Sequence, residues 1–344
     1  LTRSGRTAWW GIAAALSLII SIHAAGQEGS ADGNNDNLEE HAIWIVEYEN
    51  DIFVDEDRYY TNGIRLSRIG QVRTPPSWLE EVARRFPGID DADALPYRLS
   101  ISHNLYTPRD IDNPQFPPDD RPYAAWLNVQ FATGTTSERG ADRVQVGLGV
   151  VGPLAYGEEI QKAIHSAIDS PEPIGWDTQI RNEPTLQVGY DRIRRFFTIG
   201  DEEPGGVGLD ATWIGGLMLG NAHTHVAAGG FLRAGHNLPR GYGPPRITPS
   251  ISGAGYFMPS REPSWYLYLG VEGRRVFRDL FIEGNTFGGV DGVSRKRNIG
   301  EVFGGLVYTR GPLRLAYTQV WRTREFVGQV EGQTYGALSF SLWW

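Results

Sequence analysis

At 344 residues the chain has room for one large domain or two smaller ones. A net charge of −9 argues against nucleic acid as a partner. The absence of cysteine excludes disulfides and thiol catalysis, and it suits a protein exported to an oxidising compartment. With 43 glycines, 12% aromatics and only 2 methionines, the composition favours many short strands over helices.

The N-terminus reads as an address. Arg3 and Arg6 precede the apolar run AWWGIAAALSLIISI, and His23-Ala24-Ala25-Gly26 follow. Charged, apolar and small-residue regions in that order predict a signal peptide over 1–26, cleaved near Ala25 or Gly26. The alternative, an anchoring helix, has a short core for a membrane span. Residues 27–40 are polar and form a flexible leader. The folded domain is then 41–344.

The stretch Glu49–Ser67 crowds polar chemistry between two alternating runs. Strand side chains alternate faces. Trp44, Val46 and Tyr48 then share one face, and Glu47, Glu49 and Asp51 the other. In the second run Asn62, Ile64 and Leu66 oppose Thr61, Arg65 and Ser67. This predicts an acid and a hydroxyl looking into one polar interior. The bland alternative is a hydrated turn, since Asn-Asp and Asn-Gly are common turn residues.

Twelve strand-like runs follow: 42–49, 61–70, 97–104, 123–134, 142–152, 184–192, 209–220, 223–234, 264–277, 299–310, 312–322 and 334–344. An export signal followed by an even number of such runs is the pattern of a twelve-stranded antiparallel outer-membrane β-barrel. No later segment is apolar enough for a membrane helix, which leaves a barrel as the spanning option. The final strand ends on Trp344, like the signal read by the outer-membrane assembly machinery. Tyr123, Trp126, Trp265, Tyr308, Trp321 and Trp343 suit interface girdles. A soluble all-β sandwich or periplasmic barrel is the alternative.

The connections are uneven, as expected of long loops on one side and short turns on the other. WLEEVARRF, within 71–96, predicts a short helix. Arg295, Lys296 and Arg297 either meet lipid phosphates or form a solvated loop. His223 and His225 invite a zinc reading, but no third ligand is in sight. Residues 154–169 read as a helix inserted in the wall, with Ile160, Ile164 and Ile168 as a buried stripe and Gln161 and His165 sharing an adjoining face. It is either a plug or rim helix, or a carrier of His165 with Glu172 near enough to orient the ring.

Ordered motifs now meet a family. END at 49–51, DRYYTNG at 57–63, HNLYTP at 103–108, DRPYAAWL at 120–127 and GVVGPLAYGEEIQKAIH at 149–165 are followed by GWDTQIRNEP at 175–184, LGNAHTH and NLPRGYGPPR. From about Ile45 to Trp344 the sequence resembles the outer-membrane lipid A 3-O-deacylase family. The resemblance implies a twelve-stranded barrel with a calcium-dependent site near the outer leaflet. It implies hydrolysis of the ester holding the 3′-acyloxyacyl chain on lipid A, the lipid of lipopolysaccharide. By motif, Asn50 and Asp51 match the family's Asn-Asp pair, Thr61 its active-site hydroxyl and His165 its histidine. Glu172 matches an acid ahead of Trp176, with spacing one residue longer than usual. Ile52 stands where some members carry a further acid, so either Asp55, Glu56 or Asp57 substitutes or the calcium is held differently.

Ester hydrolysis needs a nucleophile and oxyanion stabilisation. No G-x-S-x-G elbow is present. The expected chemistry is water attack with His165 as base, Glu172 holding its tautomer, and calcium on Asp51 with Asn50 nearby. Thr61 ligates, positions water or donates to the oxyanion. The expected setting is a monomer among outer-membrane lipids. The rivals are an outer-membrane phospholipase and a non-enzymatic pore.

Overall fold

The protein is described by a computed structural model. The described residues are 42–344 apart from 52–58, 71–74, 90–95, 112, 116–118, 138–139, 169–171, 201–204, 240–245 and 248–259. The expected signal peptide and leader, and Asp55, Glu56 and Asp57, lie outside them.

Alternation dictates the architecture. On β9 (Ser260–Asp279), Leu267, Leu269 and Val271 are 56–59% exposed, whereas Tyr266, Tyr268, Glu272 and Arg274, on the opposite face, are buried. Apolar side chains face outward and polar ones inward, the inverse of a soluble sheet and the pattern of a wall set in hydrocarbon. Twelve antiparallel strands follow this rule: β1 (Ala42–Asn50), β2 (Tyr59–Gly70), β3 (Tyr97–Thr107), β4 (Ala124–Thr136), β5 (Gly140–Val151), β6 (Glu183–Ile199), β7 (Val207–Gly220), β8 (His223–His236), β9, β10 (Asn298–Gly311), β11 (Leu313–Arg322) and β12 (Gln333–Trp343). β1 pairs with β12 and closes the barrel, which removes any unpaired edge. Each predicted strand run falls on one of these strands, with ends displaced by a few residues at most sites and by seven at the end of β6.

The lumen is crossed by paired charges. Glu47 binds Arg65 through two bonds of 2.5 Å. Glu301 gathers Arg246 at 2.7 Å, Arg274 at 2.5 Å and Arg322 at 2.7 Å. Buried charges require such partners, because removing one leaves the other uncompensated. Arg246 arrives on the β8–β9 connection, and the neighbouring Ile247 N–H donates to Glu49 at 2.9 Å.

Two expectations change here. Long connections occur at both ends. Those at 71–96 and 237–259 are on the same end as the barrel's two termini, where Ala42 bonds Trp344. The first contains helix α1 (Ser77–Ala83), as predicted; it packs on the outside of the wall, Trp78 against Phe131 and Ala83 against Val144. Tyr123 and Trp126 are fully buried rather than in a girdle. Trp126 points inward and donates to Thr185 at 2.9 Å, while Trp265 and Trp321 are exposed on the wall as expected.

Candidate active site

Alternation along β1 places Asn50 with Tyr48, Val46 and the exposed Trp44, on the outer face. Glu47 and Glu49 point inward. Asn50 stands opposite Asn62 on β2, which shares its face with the exposed Ile64 and Leu66. The Asn62 amide donates to the Tyr48 hydroxyl at 3.4 Å, and the Asn50 side chain also bonds that hydroxyl. Asp51 follows, 1% exposed, close enough to act electrostatically on Tyr48. The polar group thus lies on the outer wall and not in the lumen.

Thr61 joins this face through an irregularity. The β2–β3 register shifts between Tyr60 and Asn62, and a bulge lets two successive residues lean to one side. Tyr60 still points inward and donates to Glu49 at 3.0 Å. The Thr61 hydroxyl lies 2.7 Å from that of Thr107, on the β3 face shared with exposed Leu99 and Ile101. Simple alternation had set Thr61 opposite Asn62; the bulge brings them together.

A second layer packs on the outer wall beside this patch, at Leu105, whose register partner is Asn62. It consists of a 3-10 turn (Pro153–Ala155), helix α2 (Gly157–Ile168) and a 3-10 turn at Trp176–Thr178. Leu105, Tyr123, Ala125, Ala155 and Trp176 form its core. His103 on β3 bonds the Ala155 carbonyl at 2.7 Å. Gly157 permits the contact, since a Cβ there would collide with Ala125 and the Trp176 ring.

The helix is turned the other way from its predicted stripe. Gly157, Gln161 and His165, four residues apart, form the buried row. Ile160 is 36% exposed and Ile164 half-buried. Hydrogen bonding explains the choice. The Trp176 indole N–H donates to Gln161 Oε1 at 2.7 Å, and Gln161 Nε2 lies 3.4 Å from His165 Nε2. Indole is a donor only, so it fixes which way the amide faces. The amide NH₂ therefore meets His165 Nε2, and that nitrogen carries the lone pair. Gln161 and Trp176 are site residues that sequence reasoning placed near His165 without a role.

Glu172 does not share this setting. Its side chain is 65% exposed and lies 3.0 Å from Lys162, which also pairs with Glu158 at 2.9 Å. These two carboxylates hold the Lys162 ammonium above its ordinary pKa. The expected Glu172 support of the His165 ring is replaced by this surface pair.

Among the described residues, no three His, Asp or Glu side chains converge as a metal-binding group. Asp51 is nevertheless buried beside the Asn50 amide and within reach of the Tyr48 phenol, and oxygen donors of this kind fit a hard cation such as calcium. Elsewhere, His223 pairs with Asp279 at 3.6 Å, in line with a structural strand-end pair. Arg295 is bound to Glu283 at 2.6 Å.

The model of the family described as outer membrane protein LpxR matches residues 12–344. The chain belongs to the LpxR family. It is therefore an outer-membrane enzyme that modifies lipid A. Among solved structures, LpxR from Salmonella typhimurium superposes with a TM-score of 0.71 at 18% identity, covering 88% of this chain and 99% of that one. At that identity the likeness shows the fold. The β domain of the Bordetella autotransporter Brka (TM-score 0.37, 10% identity, 88% and 97% covered) and the translocator domain of NalP from Neisseria meningitidis (0.33, 7%, 97% and 97%) are too distant to carry an argument. No curated protein matches the chain.

Proposed function

We propose that this LpxR-family barrel hydrolyses the ester that holds the 3′-acyloxyacyl chain on lipid A, and that it does so with calcium. The observation that carries the reading is the buried polar row Gly157–Gln161–His165, in a layer packed on the outer face of β3 and β4, the same face of the wall on which Asn50, Thr61 and Thr107 stand. A site outside the lumen suits a substrate that already lies in the leaflet.

His165 takes a proton from water at Nε2, once the water displaces the long 3.4 Å contact that the Gln161 amide makes with that nitrogen. Trp176 fixes that amide and so fixes the tautomer. Thr61, oriented by Thr107, and the Asn50 amide supply polar groups toward the developing oxyanion. Asp51, with the Asn50 oxygen, would hold calcium, which when bound polarises the ester carbonyl.

The test is mass spectrometry of lipid A from cells expressing the protein, with calcium and with chelator. The expected result is calcium-dependent loss of one acyloxyacyl unit. Unchanged lipid A, with the barrel shown folded in the outer membrane, overturns the reading; lysophospholipid with free fatty acid would indicate a phospholipase instead.

A further inference from the structure

Helix α2 turns its Gly157–Gln161–His165 row to the protein, and its outward side carries an apolar flank of Ile160, Ala163 and Ala167 alongside Glu159 and Ser166. A helix on a soluble protein buries the apolar side. Here Leu154 is 55% exposed, Tyr156 58%, Ile160 36% and Ile174 48%, and Ile164 is half-buried. These residues lie on the first 3-10 turn, the helix and the approach to the second turn, so each part of the second layer contributes exposed apolar side chains. Contiguous exposed apolar surface of this kind marks a contact surface.

Something must cover it, and the wall shows what. Leu154 leaves the barrel only three residues past β5, and its N–H is tied to Asn182, one residue before β6. The outward side chains of those two strands include Leu148, 51% exposed, and Leu186, 53% exposed. They stand opposite each other in register and belong to the lipid-facing belt. The apolar face of the second layer continues that belt. The attachment is firm: Gly152, with φ of 90°, packs against the backbone of Arg181 and Asn182, and Tyr156, at φ of 56°, turns the chain into α2. The apolar side is thus built to face outward and does not result from a loosely held helix.

We infer that this face, formed by Leu154, Tyr156, Ile160 and Ile174, is embedded among the acyl chains of the outer leaflet, so that lipid reaches the site sideways from the membrane beneath α2. The face is a lipid-docking surface. Its role in substrate access rests on the proposed lipid A hydrolysis; its immersion in hydrocarbon does not.

The absence of native cysteine allows a direct test. Single variants Ile160→Cys, Leu186→Cys and Asp291→Cys are labelled with an environment-sensitive dye in the full barrel, reconstituted in vesicles. Leu186 is the belt reference, and exposed Asp291 on the β9–β10 connection the aqueous one. The expected result at Ile160 is blue-shifted emission, quenched by lipids brominated on their acyl chains and insensitive to aqueous iodide, as at Leu186. Iodide quenching at Ile160 as strong as at Asp291 overturns the inference even if lipid A is hydrolysed. Lipid-like quenching without any hydrolysis leaves it standing and removes the proposed activity instead.

A second arm reads function. The variant Leu154→Asp with Ile160→Asp should raise the half-saturating concentration of vesicle-embedded lipid about tenfold or more, with the maximal rate and hydrolysis of a dispersed short-chain ester little changed. The conservative variant Leu154→Ile with Ile160→Leu should behave as the wild type. Equal loss on both substrates would assign these residues to helix integrity and refute the access role.

Discussion

Replacing Gln161 by Glu tests the catalytic reading at one atom. The side chain keeps its length and still accepts from the Trp176 indole, bonded to it at 2.7 Å. An ionised carboxylate is acceptor-only, whereas the amide donates to His165 Nε2. To meet a carboxylate, His165 must present Nε2–H, so the basic lone pair moves to Nδ1 and water loses its acceptor. General-base assistance contributes about 10²–10⁴-fold, so deacylation should fall by at least about a hundredfold. Gln161→Leu separates this from packing. It leaves the buried indole N–H without an acceptor, which costs about 1–3 kcal/mol, or roughly tenfold to a hundredfold if all of it falls on the positioned state. The assay is the initial rate of lipid A deacylation by purified barrel, with heat-modifiable gel mobility reporting the folded wall. The Gln161→Glu variant working at the wild-type rate would refute Nε2 as the proton acceptor.

Other outcomes follow from the same geometry. Gly157→Val drives its side chain into Ala125 and the Trp176 ring; overpacking of this kind costs about 1–3 kcal/mol and should lift α2, with activity lost while the barrel stays heat-modifiable. Asp51→Ala should abolish turnover or its calcium dependence; full activity in chelator would remove the metal from the mechanism. Glu172→Gln breaks only an exposed, solvent-screened pair with Lys162, so activity should drop by less than tenfold. A hundredfold loss there would return Glu172 to the ring-orienting role first expected of it.

The strands were legible because the barrel imposes one rule on every residue. Runs such as Leu338, Phe340 and Leu342 against Ala337, Ser339 and Ser341 repeat with period two whichever side is wet. Period alone leaves open which side is wet. For β1 the acids Glu47 and Glu49 do face a polar interior, as read, but Asn50 sits on the opposite face, where it is buried although the wall around it faces outward. The bulge at Tyr60–Asn62 was equally hidden, because an inserted residue changes register against β3 without changing composition.

Helix α2 was misoriented for a physical reason. Reading Ile160, Ile164 and Ile168 as a buried stripe assumes that water lies outside, so apolar residues gain by turning in. In a leaflet the solvent is itself apolar, and that gain vanishes. What then decides the rotation is the cost of leaving polar groups unpaired. Gln161 and Trp176 find each other only when the Gly157–Gln161–His165 row faces the wall. The same reversal that governs the strands, polar side chains inward and apolar ones outward, therefore governs the helix.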